Sequence, residues 1–163
     1  MSTAATARRS PDNAPSDPMA LVRSRADALY RAAVECCRQH DRSARLSSSS
    51  PEEPELEHRQ LDAMCRMCDG SLSEIADEYN SAAASLHPAE DEAWWHKANA
   101  LWHASREYAR RHAGCDELSR KVSTRHDADR LGAMQLEYEL EASALLALRH
   151  ASEAYRRTRP ELG

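Results

Sequence analysis

Leu61, Cys65, Cys68, Leu72, Ile75, Tyr79, Ala82 and Leu86 follow one another at alternating spacings of four and three residues. That rhythm lines all eight side chains along one face of an α-helix, in a seam of the kind coiled coils use. A strand would need alternation at every second position, and none is present. A helix over about residues 55–87 is therefore predicted, packed along its length, with two thiols in the packed surface. Gly70 falls inside it at a cost of about 1 kcal/mol relative to Ala. The seam keeps its phase on both sides of Gly70, so one continuous helix is expected.

Three further segments read the same way. A helix over 18–43 is predicted to start at Asp17 and Pro18, a capping residue followed by a residue suited to the first helical position. Its stripe is Val22, Ala26, Leu29, Ala33 and Cys36 or Cys37. A third helix over 89–113 carries Trp94, Ala98, Leu101, Ser105 and Tyr108, with Gly114 as its expected C-terminal cap and Cys115 to Val122 as a short further helix or an extension of it. A fourth over 125–158 opens on the capping signal Thr124 and Asp127, and its predicted stripe runs Ala133, Leu136, Leu140, Ala144, Ala147, Ala151 and Ala154, with Leu145 and Leu148 beside it and Pro160 as its stop. Residues 44–54, rich in Ser and bounded by Pro51 and Pro54, read as a linker, and residues 1–17 as a disordered tail. The expectation is one all-α domain over 18–159, a four-helix bundle of up-down-up-down topology.

Charge and length narrow the function. The chain has 163 residues with 22 basic and 27 acidic side chains, a net charge of −5. That balance does not indicate a nucleic-acid grip at whole-chain level. Arginines do collect near the ends of helices three and four (Arg106, Arg110, Arg111, Arg149, Arg156, Arg157, Arg159), where the helix dipole favours cations without any phosphate partner. No run of apolar residues is long enough for a membrane span, and Met1 to Pro18 lacks the apolar core of a secretory signal. The five cysteines form no disulfide framework, so a reducing cytoplasm is the expected location.

Three groups of side chains are candidates for function. Cys65 and Cys68 form a Cys-x-x-Cys pair, and an antiparallel hairpin would bring them to within about two turns of Cys36 and Cys37, with His58 or His40 nearby. Thiolates are soft anionic ligands for zinc or iron–sulfur clusters, and close pairs can form disulfides. These cysteines also stand where Leu would stand in a seam, and packing is the favoured reading. Glu92, His96, Asn99, His103 and Glu107 share a second face of helix three, able to bind a metal, exchange protons, or stay solvated. Trp94, Trp95 and Trp102 crowd that helix beyond what one core face needs, which makes them candidate interface anchors.

No catalytic set emerges. There is no glycine-rich phosphate loop, and a ferritin-like di-iron bundle needs two Glu-x-x-His pairs where only Glu55 with His58 is found. No cofactor is expected. Phe is absent, large aliphatics are scarce, and Ala-rich seams bury little area. A second copy or a protein partner covering another apolar face would offset that thin core. The leading expectation is thus a non-enzymatic bundle that binds protein, as a homo-oligomer or a small subunit. A thiol-based metal or redox protein is the alternative, and an accessory subunit of a nucleic-acid complex the second alternative.

Overall fold

The computed structural model describes residues 17–48, 55–84, 86, 92–121 and 128–162, all of them in or beside helices. Asp17 caps the first helix as expected, its Oδ1 accepting the Met19 amide at 2.9 Å. Helix α1 runs Pro18–Ser48, α2 Glu55–Ala83, α3 Ala93–Lys121 and α4 Ala128–Arg156, and a short 3₁₀ turn follows at Pro160–Leu162. The helices form a four-helix bundle. The hairpins α1–α2 and α3–α4 are its closest pairs, α2 lies beside α3, and α4 returns beside α1.

Side-chain pairs set the direction. Arg25 reaches Glu78 and Cys36 reaches Asp69, so α1 and α2 are antiparallel. Tyr79 with Asn99 and Arg106 with Asp77 give the same sense for α2 and α3. Tyr155 on Asp27 and Arg149 on Asp41 do so for α4 and α1. The up-down-up-down order follows.

The α1 stripe packs as its spacing requires: Val22, Ala26, Leu29, Ala33 and Cys36 are completely buried. On α2 the buried line is Cys65, Asp69, Leu72, Ala76 and Tyr79, with Cys68 and Ile75 at its edge. The seam keeps the three-four rhythm but is turned slightly, so that a carboxylate stands at its centre. The core is short of bulk, with Ala at 26, 33, 76, 98 and 144. Tyr79, Tyr108 and Tyr155 supply volume that Phe or Leu would otherwise give. Each hydroxyl has a buried or half-buried acceptor, in Asn99, Asp69 and Asp27 respectively.

Four expectations are corrected. Helix α1 continues to Ser48, five residues past its predicted end, because Ala44, Arg45 and Leu46 are good helix formers; the linker expected from 44 is shorter. Helix α3 passes through Gly114, which therefore does not cap it, and no described glycine has positive φ. Helix α4 ends at Arg156, four residues before Pro160. Its buried line is turned from the predicted stripe. Ala144 is buried as expected, but Leu148, Ser152 and Tyr155 continue the core line, while Ala133, Leu136 and Ala147 are exposed. The rotation turns Glu137 and Glu141 inward, onto Arg111 and His112. The capping pair Thr124 and Asp127 and tail residues 1–16 lie outside the described residues.

The bundle also contains an internal repeat. Residues 25–40 (RADALYRAAVECCRQH) and 97–112 (KANALWHASREYARRH) are identical at seven of sixteen positions and lie 72 residues apart. The same offset relates buried Val22 to Trp94, Ala26 to Ala98, Leu29 to Leu101, Ala33 to Ser105 and Cys36 to Tyr108. In the second half of each hairpin it relates Asp69 to Glu141, Leu72 to Ala144 and Ala76 to Leu148. The Leu–Ala order reverses in the last two pairs, which conserves core volume. Helices α1 and α3 thus share one sequence pattern, and Asp69 and Glu141 stand at matching places on the helices that follow them.

Candidate functional site

Every helix sends a polar side chain into the middle of the bundle. Asp69 of α2, only 6% exposed, is the hub. Its Oδ1 accepts from Cys36 Sγ at 3.0 Å and from the Tyr108 hydroxyl at 3.1 Å. His40 Nε2 lies 3.4 Å from the same oxygen and against the Tyr108 hydroxyl. On the other side, Asp69 Oδ2 is 2.9 Å from His112 Nε2. The ring N–H is not aligned on that oxygen, so this contact is an ion pair more than a directed hydrogen bond. His112 Nδ1 then donates to Glu141 Oε1 at 2.6 Å. Cys115, one turn on from His112 and buried, also bonds Glu141.

Local sequence explains the convergence. Cys36 and His40 are four residues apart on α1, and Tyr108 and His112 four apart on α3, so each pair points the same way. The internal repeat makes these pairs equivalents of one another. It also makes Asp69 and Glu141 equivalents, each set beside the histidine of its own hairpin.

The charges follow from the contacts. The carboxylates of Asp69 and Glu141, one against each ring nitrogen, outweigh burial and hold the His112 imidazolium up to about 10. Burial alone would raise Asp69, but the bonds from His112, His40 and Cys36 prevail and keep it well below the usual carboxylate range. Glu141 is lowered in the same way by His112 and Cys115, against its burial. Burial, with Asp69 beside it, pushes the Cys36 thiol far up, and burial with the Glu141 contact brings Cys115 up to about 12. At neutral pH Asp69 and Glu141 are therefore ionised, His112 is an imidazolium, and the Cys36 and Cys115 thiols keep their protons.

The thiol group expected from sequence is only partly assembled. All five cysteines are free. Cys36 joins His40 and Asp69 in the one group of three potential metal ligands found among the described residues, with ligand atoms within 4.8 Å of one another. Cys37 is buried near Arg149 and Asp41. Cys65 is buried one turn before Asp69, and Cys68 lines a groove between α1 and α2 with Ala32, Met67 and Ile75. The side chain of His58 lies outside the described residues.

The histidine face of α3 is shared among several tasks. Glu92 pairs with Arg23 and accepts from the Trp94 indole, and Asn99 accepts from Tyr79. Glu107 binds Arg110 and Arg111. His96 and His103 are exposed, the latter with its ring tilted against Trp102 at 4.5 Å. None of the three tryptophans is fully exposed. Trp94 is buried under the Arg23 guanidinium, 4.9 Å from its ring centroid. Trp95 packs near Tyr79 and is half-buried. Trp102 is half-buried with its indole nitrogen enclosed and lacking an acceptor among the described residues.

Exposed apolar surface lies elsewhere. Of the six large hydrophobic side chains exposed among the described residues, Leu131, Leu136, Tyr138 and Leu146 are on α4, and Met64 and Met67 on α2. From Leu131 to Ala147 the only exposed charged side chain is Glu139, since Glu137 and Glu141 turn inward. The clustered arginines are paired: Arg106 with Asp77, Arg110 with Glu107, Arg149 with Asp41, Arg156 and Arg157 with Glu153, and Arg159 with Asp27. No helix among the described residues is long and apolar enough to cross a membrane. No family model matches the sequence, and comparison with curated proteins and with solved structures gives no match.

Proposed function

We propose that this protein works by binding protein, and that its binding surface is the outward face of α4, which pairs with the same face of a second copy. The observation that carries this reading is the apolar exterior of α4, with a single exposed charge over more than four turns. A helix that is apolar on its core side and again on its solvent side is one that another surface covers. Leu131, Gln135, Tyr138, Glu139, Ala142 and Leu146 occupy that exterior at spacings of four, three, one, three and four. The series reads the same in both directions, so a two-fold axis beside residues 138 and 139 sets each of these positions against another of them. It opposes Leu131 to Leu146, Gln135 to Ala142 and Tyr138 to Glu139, and the small Ala142 lets the helices approach.

Other partners find less support. Anionic membranes select helices flanked by Lys and Arg, and the exposed positions from 131 to 147 carry none. Nucleic acid needs free cations, and the clustered arginines have carboxylate partners. The five free thiols are in keeping with a reducing cytoplasm, which we take as the location. A contact of one helix pair is at the small end of stable interfaces, so dimerisation is expected at roughly micromolar concentrations.

Sedimentation equilibrium across a concentration series tests the proposal. A reversible dimer is expected for the natural chain, and a monomer with unchanged helicity for Leu146→Glu combined with Tyr138→Glu. A natural chain that stays monomeric up to the highest soluble concentration removes the reading.

A further inference from the structure

We propose that Cys36 Sγ, His40 Nε2 and Asp69 Oδ1 form a binding site for a single divalent transition-metal ion, with Zn²⁺ the best match. This goes beyond the protein-binding surface and does not depend on it. The geometry comes first. The Sγ–Oδ1 and Nε2–Oδ1 separations are 3.0 and 3.4 Å, and all three atoms lie within 4.8 Å of one another. Tetrahedral zinc with bonds of about 2.0 to 2.3 Å sets its ligands roughly 3.3 to 3.8 Å apart. Opening the triangle by a few tenths of an ångström makes room for the ion. One sulfur, one imidazole and one carboxylate form a donor set of intermediate softness, suited to zinc more than to magnesium or calcium.

The surroundings fit the same assignment. Asp69 Oδ2 is held by His112, which is held in turn by Glu141, the kind of outer support that fixes a ligating carboxylate. The Tyr108 hydroxyl touches Asp69 Oδ1 and His40 Nε2 and reaches Cys36, so it contacts all three proposed ligands. A surface pocket between α2 and α3, lined by Arg66, Gly70, Ser73 and Asp116, reaches Asp69 and His112.

Binding of M²⁺ to the Cys36 thiol releases one proton to solvent and forms the M–S bond. The i, i+4 pairing of Cys36 and His40 places two of the three ligands on one rigid helix, which limits the ordering cost.

The test uses the full chain, purified anaerobically and stripped of metal, titrated with Co²⁺ and with Zn²⁺. The expected result is one equivalent bound, a near-ultraviolet thiolate-to-cobalt charge-transfer band, displacement of cobalt by zinc, and a rise in Tm. Calorimetry in two buffers of different ionisation enthalpy should report about one proton released. Cys36→Ser, a near-isosteric change, should abolish the band and weaken zinc binding by about 100-fold or more while circular dichroism stays helical. Cys37→Ser should keep the band. A natural chain with neither band nor zinc-dependent Tm overturns the proposal. So does a helical Cys36→Ser variant that binds zinc as tightly as the natural chain.

Discussion

The stability of this bundle should fall as pH rises from about 6.5 to about 8.5, and His112 should be the cause. In the folded chain His112 titrates near 10, because Asp69 and Glu141 flank its two ring nitrogens; the ordinary value is 6.5. A raised folded value means the native state holds a proton that the unfolded chain gives up. The stabilisation is complete below the unfolded value and is lost progressively as pH climbs toward the folded one. Once the unfolded histidine is neutral, each further pH unit removes about 1.4 kcal/mol, so the fall from about pH 6.5 to about pH 8.5 comes to about 2 kcal/mol. The acidic partner works at the other end of the scale. Asp69 is lowered on folding, so its contribution persists above about pH 4 and disappears in stronger acid. Both effects express one ion pair and are counted once. Urea unfolding followed by circular dichroism, at half-unit steps of pH on the metal-free chain, gives the profile. His112→Gln should flatten it over this window and cost roughly 3 kcal/mol at pH 7, since Asp69 is left buried without its cation. A natural chain with a flat profile refutes the reasoning, as does a His112→Gln variant that keeps the slope.

Other expectations follow from packing. A Cβ at Gly70 meets nothing within 4 Å, so Gly70→Ala should stabilise the bundle by about 0.5 to 1 kcal/mol in urea unfolding. Tyr155→Phe removes a 2.7 Å bond to Asp27, which keeps Arg159, and a loss of about 1 kcal/mol is expected in the same assay. Leu148→Ala empties a fully buried position at the centre of α4 and should lower stability by about 2 to 5 kcal/mol. Leu136→Ala, at an exposed position on the same helix, should change it by less than about 0.5 kcal/mol in the monomer, as a thermal melt at low concentration would show.

Much of the fold is legible in local patterns. Val22, Ala26, Leu29, Ala33 and Cys36 announce α1 because periodicity is a property of one helix alone, and every one of them is buried. Helix α4 is harder to phase. Its leucines lie on more than one side, Leu136 and Leu146 exposed and Leu148 buried, and the inward turn of Glu137 and Glu141 depends on Arg111 and His112, which sit on another helix. The polar hub is obscured for the same reason. An aspartate between Cys68 and Gly70 looks solvated, and only its register, four after Cys65 and three before Leu72, places it on the seam. A second signal is present in the chain. Aligning residues 25–40 with 97–112 pairs His40 with His112, and extending the offset pairs Asp69 with Glu141. That pairing marks the four side chains from sequence alone, whereas the hydrogen bonds joining them depend on how the hairpins dock. The tryptophans teach the opposite lesson. Their number suggests an exposed anchor, yet a core short of Leu and Phe draws them inward, and the apolar exterior falls to α4.

Cross-linking at chosen positions tests the self-pairing of α4 most directly. Gln135→Cys and Ala142→Cys, placed together in one chain, stand opposite each other across the two-fold contact. Mild oxidation should then give a covalent dimer on denaturing gels, and Ala142→Cys alone should not, because the antiparallel register sets the two copies of that residue about 10 Å apart along the axis. Monomer alone after oxidation of the double variant, or equal cross-linking from the single one, would contradict the account.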